Sequence, residues 1–228
     1  MKGLSTTLTA DEFRMIFAPK STYIQGFQMA NNAGLVSIII IVIVTARDFT
    51  QNTLRLKILN GHNRTKIYLS TLFTNIIFGV IVVFVYSLLS LVSGILLFGY
   101  GSAFTVDEFF SLAGSTLMAL IYVLVFISIG TAITMRFKTI GASIGITMAI
   151  LLGESILASL LHMLPTTVGN IPEWFMNTLN ILPTVAFINI MSFKTNTVVT
   201  TIIILSGLSL LALVNFLGIN SFKNSDIK

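Results

Sequence analysis

The sequence predicts an all-α integral membrane protein of about five transmembrane helices. An amphipathic helix is expected in a basic loop, with re-entrant or interfacial helices before the last span. Three observations carry this. Of the 228 residues, 55% are hydrophobic and only 9% are charged, where a soluble domain carries about 25%. The apolar residues form continuous blocks, and about 20 such residues cross the hydrocarbon layer as a helix. The blocks do not alternate in and out as barrel strands do.

The first block runs from about Ile24 to Ala46. Its strongly apolar part, Ala33 to Ala46, is short for a span. The stretch before it mixes Ile24, Phe27 and Met29 with Gln25, Gln28, Asn31 and Asn32. It reads as the polar outer half of the same spanning helix, packed against protein, or else as a short buried segment. The second block covers about Tyr68–Phe98 and is long enough to span with some tilt. The third covers about Phe109–Met135, the fourth Ile140–Leu164 and the fifth Thr197–Leu217. With no repeat or low-complexity tract, residues 1–228 form one membrane domain.

Loop charge sets the orientation. The first loop, about residues 47–67, holds Arg47, Arg55, Lys57, Arg64 and Lys66. The next, Gly99 to Glu108, holds no basic residue, and the third holds Arg136 and Lys138. Residues 164–196 hold only Lys194, and the tail, 219–228, holds Lys223 and Lys228. High and low counts alternate, so the first and third loops and the C-terminus are expected in the cytoplasm. This accounts for the net charge of +5 without nucleic acid. Residues 1–23 then fall outside, although no signal peptide precedes them: Asp11, Glu12, Arg14, Pro19 and Lys20 interrupt any compact apolar run. Two readings remain: a true five-span protein, or a chain that begins late and lacks an earlier span.

Within the first loop, Leu54, Ile58 and Leu59 are expected to share a helix face, with Arg55 and Lys57 projecting away and Gly61 stopping the helix. The loop can be a topology anchor, a surface helix on anionic lipid, or a helix that docks a cytoplasmic partner.

The residues here resemble ABC-2-type transporter permeases. Those proteins carry an acidic residue, a Gly-Thr-hydrophobic-Arg element, a Gly-x-x-Arg step and an Ile-Tyr-Leu-Ser stretch. This chain reads Asp48, then Asn52-Thr53-Leu54-Arg55, then Gly61-His62-Asn63-Arg64, then Ile67-Tyr68-Leu69-Ser70. It departs from the pattern with Asp48 for Glu, Asn52 for Gly, Asn63 for Ser and Thr71 for Lys. The resemblance covers about 25 residues by motif, and nearly the whole chain by hydropathy if its five spans are family spans two to six. It implies that the loop is a coupling helix docking on a separate cytoplasmic ABC ATPase subunit. Leu54, Leu56, Ile58 and Leu59 would supply apolar contacts. Arg55, Lys57 and Arg64 would supply charge pairing or lipid contacts, and Gly61 the turn. It further implies a second permease subunit, as a homo- or heterodimer, in a bacterial plasma membrane. Export of an amphiphilic peptide, lipid or drug is implied, with antimicrobial-peptide resistance as the leading case.

No catalytic machinery, cofactor site or metal site is expected. Cysteine is absent, which excludes thiolate chemistry, and no phosphate-cradling Gly-x-x-x-x-Gly-Lys-Ser/Thr loop occurs. His62 in the basic loop and His162 near the outer end of the fourth block read as solvated and interfacial residues. Glu154, with Ser155 beside it, is the ionisable residue well inside a block. An acid there costs about 2.5–3.5 kcal/mol and must face protein or water. It lines a substrate pathway, or it is hydrogen-bonded within helix packing. Gly141 and Gly145 have the spacing that lets helices approach closely. Trp174 and Phe175, between Pro165, Pro172 and Pro183, are expected at the membrane interface. Two other classes stay open: an ion-gradient-driven secondary transporter, and a non-transporting scaffold or sensor.

Overall fold

The computed structural model describes residues 18–30, 32–99, 105–164, 171–191, 193 and 196–225, without the side chains of residues 32, 55 and 98. In order these form α1 (Pro19–Gln25), α2 (Asn32–Thr50), α3 (Thr53–Leu59), α4 (Arg64–Phe98), α5 (Val106–Phe137), α6 (Ile140–His162), α7 (Glu173–Thr178), a 3-10 turn (Leu179–Ile181), α8 (Pro183–Met191) and α9 (Thr197–Lys223). Helices α2, α4, α5, α6 and α9 are long and apolar enough to cross a membrane. The protein is an all-α multi-pass membrane protein. The segment from Glu173 to Met191 passes the same test as a pair bent by 108°, a broken span or a re-entrant loop.

The first expected span is corrected. Its polar half does not continue α2: of its described residues before Asn32 only Ile24 and Gln25 are helical, as the end of α1, a separate short helix that packs on α4, and the stretch is the short buried segment of the alternative reading. The chain breaks at Gly26–Ala30, and Ile24, Phe27 and Met29 are fully buried there. Gly26 allows the break to sit against α4, because a Cβ would lie 2.3 Å from Ser87 Oγ and 2.8 Å from Ser87 Cα. The span recovers its length at the other end, where α2 continues past Ala46 to Thr50. Its 19 residues reach about 28 Å at 1.5 Å per residue, close to the hydrocarbon thickness.

Local chemistry sets the other ends. Asn63 caps α4 by accepting from Thr65 N–H at 3.0 Å. Thr105 caps α5 by accepting from Glu108 N–H at 3.3 Å, and Asp107 and Glu108 in that first turn suit the positive end of the helix dipole. Lys138, in the left-handed conformation at φ 60°, ends α5 and turns the chain directly into α6.

Helix α5 is the centre of the bundle. It shares its most extensive interface with α9 and also meets α2, α4 and α6. Ala119, Tyr122, Val123, Phe126 and Ile127 are buried along it. Helices α4 and α6 instead turn large apolar side chains outward, among them Phe73, Leu89, Ile156 and Leu160. The ends of α2, α4, α5 and α9 that carry Arg47, Arg64, Arg136 and Lys223 meet around Phe49, Leu54, Met135 and Phe222. At the other end Lys20 of α1 pairs with Glu108 of α5.

Candidate functional site

The basic end is built around α3. Asn52, just before it, has φ 57°, the left-handed region that glycine and asparagine adopt most readily. Gly61 (φ +84°) ends α3 in a Schellman turn: His62 N–H donates to Lys57 C=O at 3.2 Å and Gly61 N–H to Ile58 C=O at 2.9 Å. The turn brings the chain straight to Asn63, the cap of α4.

The expected apolar face of α3 divides differently. Leu54 is fully buried in a cluster with Ile67, Tyr68, Leu72, Met135 and Phe222, and Ile58 packs against that cluster. Leu59 does not join them and is 73% exposed, as Leu56 is at 58%. A helix anchored through Leu54 must turn the residue five positions later well away from the anchored side. Leu54 is thus an internal anchor, and the apolar contacts open to a partner are Leu56 and Leu59. Lys57 is exposed, Asp48 is half-buried at the end of α2, and the Arg55 side chain lies outside the described residues.

Arg64 has an internal partner. Its Nη1 donates to the carbonyls of Lys223 at 2.8 Å and Ser225 at 2.7 Å. The Lys223 carbonyl is an orphan at the C-terminal end of α9 and Ser225 lies two residues beyond it, where a cation also suits the helix dipole. Phe222 lies with its ring centroid 6.4 Å from Phe49 and 6.5 Å from Tyr68. Close passage of α9 over Tyr68 depends on Gly218, where a Cβ would sit 2.2 Å from the phenol oxygen. Helix α3, the start of α4 and the end of α9 are therefore fastened together by Leu54, Phe222 and Arg64.

Buried polar contacts extend from this block into the bundle. Asn75 Nδ2 donates to Thr45 Oγ1 at 3.0 Å and Thr131 Oγ1 at 2.9 Å, joining α4 to α2 and α5. Asn215 Nδ2 donates to Ser128 Oγ at 3.1 Å, joining α9 to α5. Tyr122 Oη lies 3.1 Å from Asn180 C=O and 3.0 Å from Ser206 Oγ, linking α5 to the 3-10 turn and α9. Sequence reasoning missed these residues; the signal was an asparagine inside an apolar block, which needs an internal partner in lipid.

Glu154 and Ser155 meet a single partner. Glu154 Oε1 accepts from Thr184 N–H at 3.0 Å and Oε2 from Thr184 Oγ1 at 2.8 Å, while Ser155 Oγ lies 3.3 Å from the same hydroxyl. These contacts are those that the helix-packing reading of Glu154 expects. Trp174 is exposed, and Phe175 is half-buried against a cluster of Ala158, Leu179 and Val185. Gly141 and Gly145 do not bring helices together among the described residues: both face outward, and a Cβ on either would meet no described atom within 4 Å. His62 is exposed beside α3 and His162 is half-buried at the end of α6.

This arrangement offers cations, outward leucines and fixed helix ends, which suit anion binding and docking. No curated protein and no solved structure matches the chain. The family model described as Protein of unknown function (DUF2705) matches residues 12–228, and the chain belongs to that family.

Proposed function

We propose that this protein is the membrane permease subunit of an ATP-driven ABC-2-type exporter. In this reading α3 faces the cytoplasm and docks on a separate ATPase subunit, with Leu56 and Leu59 as apolar contacts and Lys57 beside them. Two permease subunits form the pathway in a bacterial plasma membrane, and the cargo is an amphiphilic peptide, lipid or drug. The observation that carries the reading is the fastening of α3 to three spans. Leu54 seats it in the cluster shared with α4, α5 and α9, and Arg64 ties the start of α4 to the end of α9. A push on α3 is then delivered to the spans as rigid elements, which coupling requires. The left-handed Asn52 and the Gly61 turn fit the family's pattern at the same place.

An ion-gradient-driven transporter needs an intramembrane acid able to bind and release the ion. Glu154 gives that reading little support, because Thr184 engages both of its oxygens.

The test is affinity purification of the protein from mild detergent. A stoichiometric ATPase with a phosphate-binding Gly-x-x-x-x-Gly-Lys-Ser/Thr loop is expected to co-purify, and Leu59→Asp to remove it. Absence of such a subunit, together with unchanged export in Leu59→Asp cells, would sink the proposal.

A further inference from the structure

Beside α3 lies a small cavity of about 250 Å³ lined by Lys57, His62, Lys66, Ile67 and Ser70. The Schellman turn at Gly61 folds His62 back toward Lys57, and Asn63 then starts α4, which brings Lys66 and Ser70 to the same hollow. None of the described lining residues is acidic. Among the described residues Lys57 and Lys66 form no ion pair, although the bundle has one at its other end. Two ammonium groups, an imidazole and a hydroxyl thus share one hollow, with no carboxylate among the described lining residues to neutralise them. The cavity is smaller than the roughly 300–1,000 Å³ typical of drug-sized ligands, so the ligand it fits is compact.

Continuing along α4 from Lys66 and Ser70, Phe73, Ile77 and Ile81 follow at spacings of three and four residues, placing all five on one helix face. Phe73 is 65% exposed, Ile77 45% and Ile81 56%. A cationic hollow at the end of a span, continued by an outward apolar track down the same face, matches an anionic head joined to a hydrocarbon tail.

We propose that this hollow binds the phosphate group of an acidic membrane phospholipid. Lys57 and Lys66 contact the phosphate oxygens, the Ser70 hydroxyl donates a further hydrogen bond, and an acyl chain lies over Phe73 and Ile77. The site is independent of the transport reading, since it needs neither an ATPase nor a cargo. Bound lipid would occupy the angle between α3 and α4.

The test is native mass spectrometry of the full chain released from detergent micelles, titrated with phosphatidylglycerol, phosphatidylcholine or inorganic phosphate. Wild type is expected to retain phosphatidylglycerol in preference to phosphatidylcholine. Lys57→Gln/Lys66→Gln is expected to weaken that retention about tenfold or more, as losing charge-assisted hydrogen bonds does. Lys223→Gln, a cation at the same end outside the hollow, is expected to retain the lipid as wild type does. Competition by inorganic phosphate alone would keep the phosphate site but assign it to a soluble ligand, overturning the lipid assignment. Equal retention in the double variant, or equal loss in Lys223→Gln, overturns the site altogether. All of the substituted side chains are exposed, and a circular-dichroism melt of each variant checks that the fold is unchanged.

Discussion

Glu154 of α6 caps helix α8 from outside, its two carboxylate oxygens accepting from the backbone N–H and the hydroxyl of Thr184. Thr184 is the second residue of α8, so its N–H has no acceptor within the helix. Pro183 brings no N–H of its own, and Leu182 before it carries no side chain that can cap. A residue from a different helix supplies the acceptor, and the bent segment is held to α6 by that contact.

Glu154→Ala is therefore expected to loosen α8, not to abolish a binding site. Leaving the Thr184 N–H unsatisfied costs about 1–3 kcal/mol. Glu154→Gln, which keeps a carbonyl acceptor, is expected to lose less. Hydrogen exchange over residues 183–191 reads this directly. Unchanged protection in Glu154→Ala would show that the cap contributes nothing.

Arg64→Ala is expected to fray the end of α9, because the carbonyls of Lys223 and Ser225 lose their shared donor. The cost is about 1–2 kcal/mol for a charged donor in a partly exposed place. Arg64→Lys should recover part of it, since both bonds leave one nitrogen, Nη1, and an ammonium also carries several donors on one nitrogen. Tryptic release of the segment after Lys223 measures the effect. Equal release rates in wild type and Arg64→Ala would contradict the cap.

Leu54 and Leu59, five residues apart on α3, are expected to separate stability from docking. Leu54→Ala opens a hole in the cluster around Tyr68 and Phe222 and is expected to cost about 2–5 kcal/mol of stability. Leu59→Ala, at an exposed position, is expected to change stability by less than about 0.5 kcal/mol and, if the proposed coupling holds, to weaken co-purification of the ATPase subunit. Paired melting and pull-down experiments decide it. The reverse pattern would place the docking face on the other side of α3.

Asn75→Ala removes the donor to both Thr45 and Thr131, and α2, α4 and α5 lose their shared polar contact. Hydrogen bonds between membrane helices contribute about 0.6–1.7 kcal/mol, so a loss of about 1–2 kcal/mol is expected. Because the partners form one network, Asn75→Ala and Thr131→Ala should be non-additive in a double-mutant cycle. Strict additivity would mean that the two side chains do not interact.

The sequence alone determined the membrane class, the blocks that became α2, α4, α5, α6 and α9, the stop at Gly61 and the presence of short helices before the last span. These properties are local: runs of apolar residues, the spacing of cations and the conformational freedom of one glycine each act within a few residues. Boundaries shifted where hydropathy ends before the hydrogen bonding does. Helix α4 begins at Arg64 because Asn63 caps it, and α9 runs past Leu217 to Lys223, where Arg64 caps its carbonyls. The site is where tertiary structure decided. Whether Glu154 lines a pathway or caps a helix depends on Thr184, and whether Arg64 faces a partner or an internal carbonyl depends on a segment far along the chain. Leu54 and Leu59 look alike in sequence, yet one is buried and the other is not. In a bilayer a polar group must find its partner within the protein, and only the packing of the helices fixes which partner that is.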